Sequence, residues 1–123
     1  MYIPEGVKIV NLTPHEVNLM YEPINPDGSG SGVYLPLHTF QPSGDVARVS
    51  AKTVSVGEFY GIPITSTQFG EVEGLPEPKK GTIYIVSSLV AQCVQSRGDV
   101  FIPNESVRGS EGRIIGCKSL GHI

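Results

Sequence analysis

The stretch GTIYIVSSLVAQCVQSRGDVFIP, Gly81–Pro103, decides the fold because its pattern changes twice within 23 residues. Thr82–Val86 is a continuous apolar run of the length of a buried strand. Ser87 follows and is a residue type that caps helices. Apolar residues then recur at helical spacing as far as Val94, and Arg97-Gly98 is typical of a helix end. The stretch therefore predicts a strand that runs directly into a helix.

The rest of the chain reads as short strands separated by turns. The predicted strands are Val7–Leu12, Val17–Met20, Val33–Phe40, Val46–Val56, Ile62–Phe69, Val100–Ile102 and Arg113–Cys117. We expect the first two to form a hairpin around Pro14, and Gly70–Pro78 and Asn104–Gly112 to be loops, with a loose tail from Lys118. Hairpin-linked strands with a helix near the C-terminus indicate an α+β fold, formed as a single domain over residues 1–123.

Composition excludes several classes of function. The chain has no apolar run near the roughly 20 residues that cross a bilayer, and its N-terminus lacks the pattern of a signal peptide. We therefore expect no membrane association and an intracellular protein. The net charge is −3 and Lys79-Lys80 is the one basic pair, so long nucleic acid is disfavoured as a partner. The spacing of Cys93, Cys117 and the histidines predicts neither a metal site nor a disulfide.

Catalytic patterns are weak. Ser87 and Ser88 lack the glycine-flanked turn of hydrolases. Glu71 and Glu73 would share one face of a strand, where a solvated edge is the simpler interpretation than a carboxylate pair. There is no Walker loop and no dinucleotide fingerprint. We therefore expect a protein that is not an enzyme, with no cofactor and no metal.

Binding of a small anion fits the pattern better. A helix start offers free N–H groups and partial positive charge, to which serine hydroxyls and an aromatic ring could add contacts. Arginines that bracket the glycine-containing loop 109–112, and the polar corner after the first strand, are further candidates. Each also has a plain structural interpretation, as a cap, a turn residue or a surface residue. The candidate ligand-binding residues are Asn11, Thr13, His15, Tyr84, Ser87, Ser88, Arg97, Asn104, Arg108 and Arg113. The segment 22–32, rich in glycine and proline, is either a flexible loop or a lid.

Five blocks of the sequence carry a resemblance to a known family. In chain order they are IVNLTPHEVNL, PSGDVARVS, GIPITSTQFGEVEGLP, GTIYIVSSLVAQ and GRIIGC. Together they resemble the Thoeris anti-defence family of phage proteins, which are cyclic ADP-ribose sponges. The similarity runs from Val7 to Leu120, and the NLTPH and TIYIVSSLVAQ blocks are its most specific parts.

The resemblance implies a phage or prophage protein that is not an enzyme. Such a protein binds a cyclic ADP-ribose isomer made by bacterial TIR-domain enzymes, holds it without degrading it, and so blocks the immune signal in the host cytoplasm. Some members also hold cyclic dinucleotides. The family implies a small antiparallel β-sheet domain with one or two C-terminal helices that assembles into a homodimer or a larger homo-oligomer. The apolar helix face with Val90 and Val94 would suit that interface.

Two alternatives stay open from the residues alone. One is a small enzyme acting on a nucleotide-like ligand, with Glu71 or His15 as its reactive group. The other is a virion-associated structural or interaction module that binds no small ligand.

Overall fold

The computed structural model describes residues 5–123, which form a β-rich fold with one short helix. The sequence start, on which the signal-peptide expectation partly rests, lies outside these residues. The strands are β1 (Lys8–Asn11), β2 (Val17–Tyr21), β3 (Leu35–Phe40), β4 (Arg48–Phe59), β5 (Ile62–Glu73), β6 (Thr82–Ile85), β7 (Val100–Arg108) and β8 (Ile114–Gly121). The helix α1 (Ser88–Cys93) connects β6 to β7. Among the described residues, no helix has the length and apolarity needed to cross a membrane.

Six strands form one mixed sheet in the order β1-β6-β7-β8-β2-β3. β6 runs parallel to both β1 and β7, and β2 runs parallel to β8, while β7–β8 and β2–β3 are antiparallel. The expectation of an antiparallel sheet is therefore wrong in part. The expected hairpin of the first two strands is also wrong, since β1 pairs with β6 and β2 pairs with β3 and β8. The parallel pairing of β6 with β7 follows from the helical connection between them, because it returns the chain to the same end of the sheet.

The sheet curves so that its two edges approach each other. Beyond β3, Pro42 forms an isolated parallel bridge with Asn11 at the end of β1, and the Ser43 N–H donates to the Asn11 carbonyl at 3.0 Å. Residues on β6 alternate between the two sides of the sheet. Ile85 is fully buried on the side that also holds Leu19 and Cys117.

The opposite side of β6 packs against the helix. Tyr84 and Val86 belong to a second apolar cluster, together with Val90 and Ala91 of α1. Val90 is 2% exposed, and Val94 packs against the same cluster. The expectation that this apolar helix face is free to form a subunit interface is wrong, because the core of the chain already covers it.

The helix is shorter than its sequence pattern. It ends at Cys93 with Val94 as the C-cap, not at Arg97-Gly98. The chain leaves it through two tight turns, in which the Val94 N–H donates to the Ala91 carbonyl at 3.1 Å and the Arg97 N–H to the Val94 carbonyl at 2.9 Å. The described residues contain this one helix and no second C-terminal helix.

The two strands of the C-terminal third are longer than the sequence predicts. β7 extends to Arg108, so the predicted loop from Asn104 is wrong over its first half. β8 continues to Gly121, so the predicted loose tail is wrong as well. Residues Asn104 and Ser106 have little β propensity, but their pairing with Ser119 and Cys117 holds them extended.

β4 and β5 form a separate two-stranded sheet. β5 continues to Glu73, through residues expected to be a loop. The segment 22–32 is a turn closed by its own hydrogen bonds, including the Asn25 N–H to the Ser29 carbonyl at 2.8 Å. Hydrogen bonds from Ser29 lower the pKa of the Asp27 carboxyl.

Candidate ligand-binding site

A cleft of about 350 Å³ opens where the corner after β1, the start of α1 and the strands β2, β7 and β8 meet. Its volume falls in the range of about 300–1,000 Å³ that is usual for pockets binding small organic ligands. The lining consists of Thr13, His15, Glu16, Val17, Asn18, Val86, Ser87, Pro103, Ser106, Ile114, Ile115, Gly116 and Cys117. Thr13, His15 and Ser87 are predicted ligand-binding residues that the structure brings together here.

The corner after β1 is organised by Asn11, which is 1% exposed. Its Oδ1 accepts hydrogen bonds from the Thr13 N–H at 2.9 Å and the Thr13 hydroxyl at 2.7 Å. Its Nδ2 donates to the carbonyls of His15 at 2.8 Å and Phe40 at 2.9 Å. Both ends of the amide are thus used within the protein. Asn11 is therefore a positioning residue that sets Thr13 and His15 at the rim, rather than a ligand contact.

Ser87 caps the helix, as its sequence position predicts. Its side chain accepts a hydrogen bond from the Val90 N–H at 3.4 Å, and its carbonyl accepts one from the Ala91 N–H at 3.0 Å. Ser87 is exposed and lies in the cleft lining, whereas Ser88 is exposed outside it. Because α1 has only six residues, its dipole contributes little to anion binding. The capping interaction therefore holds the Ser87 hydroxyl in a fixed position in the cleft lining.

Two predicted residues point to other parts of the molecule. Tyr84 is 2% exposed and packs in the core beside α1, so its ring is not a platform in the cleft. Its hydroxyl lies 3.5 Å from the Glu77 carbonyl. Arg97 forms a two-pronged ion pair with Asp99, at 2.8 Å and 2.9 Å, and also donates to the Pro76 carbonyl at 3.0 Å. The hydrogen bonds with Asp99 raise the pKa of Arg97.

The predicted residues on β7 and the loop after it lie outside the lining. Asn104 is exposed and packs beside Gly121 of the neighbouring strand. Arg108 donates from Nη1 to the Gly112 carbonyl at 2.7 Å and so closes the loop between β7 and β8. Arg113 is exposed and directly precedes Ile114, which is a lining residue. Of the three arginines, Arg113 is therefore nearest in sequence to the cleft.

Sequence reasoning missed most of the cleft floor. Apolar residues of β8 and β2 form it, and they carry no sign of a binding role in the sequence beyond their strand pattern. Glu16 and Asn18 flank a buried valine in β2, and this alternation could have indicated that they face outward. Asn18 is held in place, since its Oδ1 accepts from the Thr39 hydroxyl at 2.8 Å and its Nδ2 donates to the Ile115 carbonyl at 3.3 Å.

The titratable groups of the lining are His15, Glu16 and Cys117. The Cys117 thiol is 3% exposed, and burial raises its pKa, so it stays protonated at neutral pH. The lining residues include no lysine or arginine. A ligand with phosphate groups would therefore depend on uncharged donors of the lining, such as the Ser87 hydroxyl.

Within residues 5–123, no group of three or more histidine, cysteine or acidic side chains is arranged to hold a metal ion. Comparisons with family models, with curated proteins and with solved structures found no match to this chain. The resemblance to the Thoeris anti-defence family stays a prediction.

Proposed function

We propose that the protein is a phage or prophage anti-defence protein that sequesters a cyclic ADP-ribose isomer in this cleft without degrading it. One observation carries the proposal. Three of the five blocks behind the family resemblance, NLTPH, TIYIVSSLVAQ and GRIIGC, lie far apart in the chain, and residues of all three line the same cleft. Sequence blocks that resemble the family and meet at one pocket favour a ligand in common with the family. If the blocks only formed the hydrophobic core, they would not need to meet at a pocket.

The composition of the lining suggests how the ligand would be held. The exposed apolar side chains of Ile114 and Ile115 would take the base and the ribose carbons. The Ser87 hydroxyl would donate to a phosphate oxygen, whereas the Thr13 hydroxyl proton is already engaged with Asn11. The Glu16 carboxylate would accept from ribose hydroxyls. Arg113, next to Ile114 in the chain, is our candidate for the cation that balances the diphosphate.

The proposal extends to partners and location. We expect the ligand to be the TIR-derived signal, with cyclic dinucleotides as a second class to test. We place the action in the host cytoplasm, because the signal is produced there. We also expect a homodimer or a larger homo-oligomer.

The direct test is a capture and release experiment. The purified protein is incubated with the product of an activated TIR-domain enzyme, removed by filtration, and then heated, and the signal is assayed in the filtrate and in the heated fraction. Loss followed by recovery of intact signal supports sequestration. Loss without recovery indicates an enzyme, and unchanged signal favours a structural or interaction module.

A pair of substitutions at Ser87 tests the site itself. Asp and Asn are both good N-caps and differ mainly in charge. We expect Ser87→Asp to reduce retention of the anionic ligand at least tenfold, because it places a carboxylate in the cleft, whereas Ser87→Asn keeps most of it. Equal retention by both variants would show that the ligand does not bind here.

The arginines provide a second comparison in the same assay. Arg113→Ala should weaken retention with folding intact, since its side chain is exposed. Arg108→Ala should also weaken retention, but by loosening the loop that Arg108 closes through Gly112. Full retention of the ligand by both variants would show that neither arginine contributes to the binding site.

A further inference from the structure

A second cavity, of about 260 Å³, lies beside the ladder between β1 and β6. Leu12 and Tyr84 close its bottom, since each is only 2% exposed and belongs to the apolar cluster that includes residues of α1. None of its lining residues lines the cleft of the proposed function. An inference about this cavity is therefore independent of that function.

Two lysines meet at one end of the cavity. Lys8 pairs in register with Thr82, and the Lys8 N–H donates to the Gly81 carbonyl at 2.7 Å. The Thr82 N–H donates to the Lys79 carbonyl at 3.1 Å, so Lys79 lies in the tight turn beside the start of β1. Gly81 has a φ of 76° and permits this approach, because a Cβ there would lie 2.5 Å from the Gly6 carbonyl oxygen. The ladder thus brings together two cationic side chains that are far apart in the sequence.

These cations have no carboxylate partner. Within residues 5–123, neither Lys8 nor Lys79 forms an ion pair, whereas Arg97 and Asp99 pair with each other. Two cations that line one concave surface create a positive potential, which favours an anion between them. The Thr82 hydroxyl lines the same end and would add an uncharged donor. Three donors around one point suit the three terminal oxygens of a phosphate monoester.

The other end of the cavity carries a negative group. The Ala47 N–H donates to the Leu12 carbonyl at 2.9 Å, so the segment that contains Asp45 approaches the cavity beside the end of β1. The four residues of β1, at about 3.3 Å each, separate this end from Lys8. A second anionic group in the ligand would be repelled by Asp45. The cavity therefore favours a molecule with a single anionic head.

The segment 75–79, between β5 and β6, forms a wall that is held by tertiary contacts. Arg97 Nη2 donates to the Pro76 carbonyl at 3.0 Å, and the Tyr84 hydroxyl lies 3.5 Å from the Glu77 carbonyl. The segment has no regular secondary structure of its own, so these contacts fix its position against β6. A wall that is already fixed lowers the entropic cost of binding a ligand.

We propose that this cavity binds a small organic phosphate monoester, with its phosphate between Lys8 and Lys79 and its apolar body against Val10 and Pro76. Val10 is half-buried and Pro76 is exposed, so both offer apolar surface to a ligand. The volume lies just below the range of about 300–1,000 Å³ that is usual for drug-sized ligands. It therefore favours a body with one ring over a dinucleotide.

The test uses phenyl phosphate and inorganic phosphate as probes of the full chain. Amide signals of the ¹⁵N-labelled protein are followed by NMR as each probe is added. Phenyl phosphate should shift the signals of Lys8, Thr82 and Tyr84 saturably, with a Kd of about 1 mM or lower. Inorganic phosphate has the head without the apolar body, so it should bind about tenfold more weakly or worse.

Two double variants with the same net charge test the site. Lys8→Gln with Lys79→Gln should raise the Kd for phenyl phosphate about tenfold or more, because both cations of the site are lost. Lys52→Gln with Lys118→Gln removes two lysines that do not line the cavity and should change the Kd less than about twofold. All four lysines are exposed, so both variants should keep the amide spectrum of a folded protein.

Four results would overturn the proposal. The first is the absence of saturable shifts up to about 20 mM phenyl phosphate, well above the expected Kd. The second is equal affinity for the two probes, which would indicate an adventitious ion only. The third is an equal loss of affinity in the two double variants, which would indicate an effect of net charge. The fourth is a set of shifts confined to the lining of the first cleft, such as those of Ile114 and Ile115.

Discussion

Asn11 is a single buried side chain that holds three segments together. Its amide contacts the turn at Thr13, the carbonyl of His15 and the carbonyl of Phe40 at the end of β3. The first of these contacts is local and is typical of asparagine in a turn. The contact with Phe40 spans 29 residues and fixes the edge of the curved sheet relative to the cleft rim.

We expect Asn11→Ala to lower the free energy of unfolding by about 1–3 kcal/mol, because it leaves buried N–H and carbonyl groups without partners. Asn104→Ala is the control, since Asn104 is exposed. This substitution should change the free energy of unfolding by less than about 0.5 kcal/mol. Urea denaturation followed by circular dichroism measures both. Similar midpoints for Asn11→Ala and the wild type would show that the amide is not holding the corner.

The connection between α1 and β7 depends on an ion pair two residues apart. Arg97 and Asp99 meet through two nearly parallel hydrogen bonds, at 2.8 Å and 2.9 Å. The hydrogen bonds from Arg97 lower the pKa of Asp99. The pair lies where the chain turns out of the helix earlier than its apolar spacing predicts, so it stabilises the turn rather than the helix end.

The Arg97–Asp99 pair makes the free energy of unfolding depend on pH, and the lowered pKa of Asp99 sets the sign of that dependence. Because the folded-state pKa of Asp99 is lowered, its contribution is present above the unfolded-state pKa of about 3.9 and is lost as the pH falls through the folded-state value. Asp99→Asn should reduce the free energy of unfolding by about 0.5–1 kcal/mol at pH 7, a modest effect for a partly exposed pair. The difference from wild type should shrink below about pH 4.

Denaturant titrations between pH 7 and pH 3 check this prediction, with Glu111→Gln as a control for removal of an exposed carboxylate. A difference between Asp99→Asn and the wild type that stays constant across this range would contradict an electrostatic origin.

The two halves of the six-stranded sheet are joined by the contact between β8 and β2, which share one ladder pair, Leu19 with Cys117. Gly116 permits this approach. A Cβ at position 116 would lie 2.5 Å from Met20 Sδ and 2.7 Å from the Asn18 carbonyl oxygen. The same contact shapes the cleft, because Gly116, Asn18 and Cys117 all line it.

Gly116→Ala should therefore lower the free energy of unfolding by about 1–3 kcal/mol through overpacking against a neighbouring backbone. Gly98→Ala is matched to it, since a Cβ there meets nothing within 4 Å, and should be neutral or slightly stabilising. Thermal unfolding of the two variants compares them directly. Equal stability would mean that β2 moves away without cost.

The cleft could be predicted only in part. The sequence identified Thr13, His15 and Ser87, because each stands at a turn or cap whose local chemistry is visible from its neighbours. It misassigned Tyr84 to a surface, since β6 is apolar on both faces and so shows no alternation to tell which side chains are exposed. It missed Glu16, Asn18 and Ser106, which reach the cleft only because their strands come together across long stretches of chain.

By itself, the sequence determined the local elements: where most strands begin, that Ser87 caps a helix, and that the corner after β1 is a turn held by asparagine. These features depend on residues a few positions apart, whose propensities and hydrogen bonds act within one segment. Only the tertiary structure decided which strands are neighbours, that the sheet is mixed and curved, that β7 and β8 extend past their apolar residues, and that the hairpin β4–β5 stands apart. Strand pairing joins residues distant in sequence, so its free energy is settled by packing across the whole chain and not by any single stretch of it.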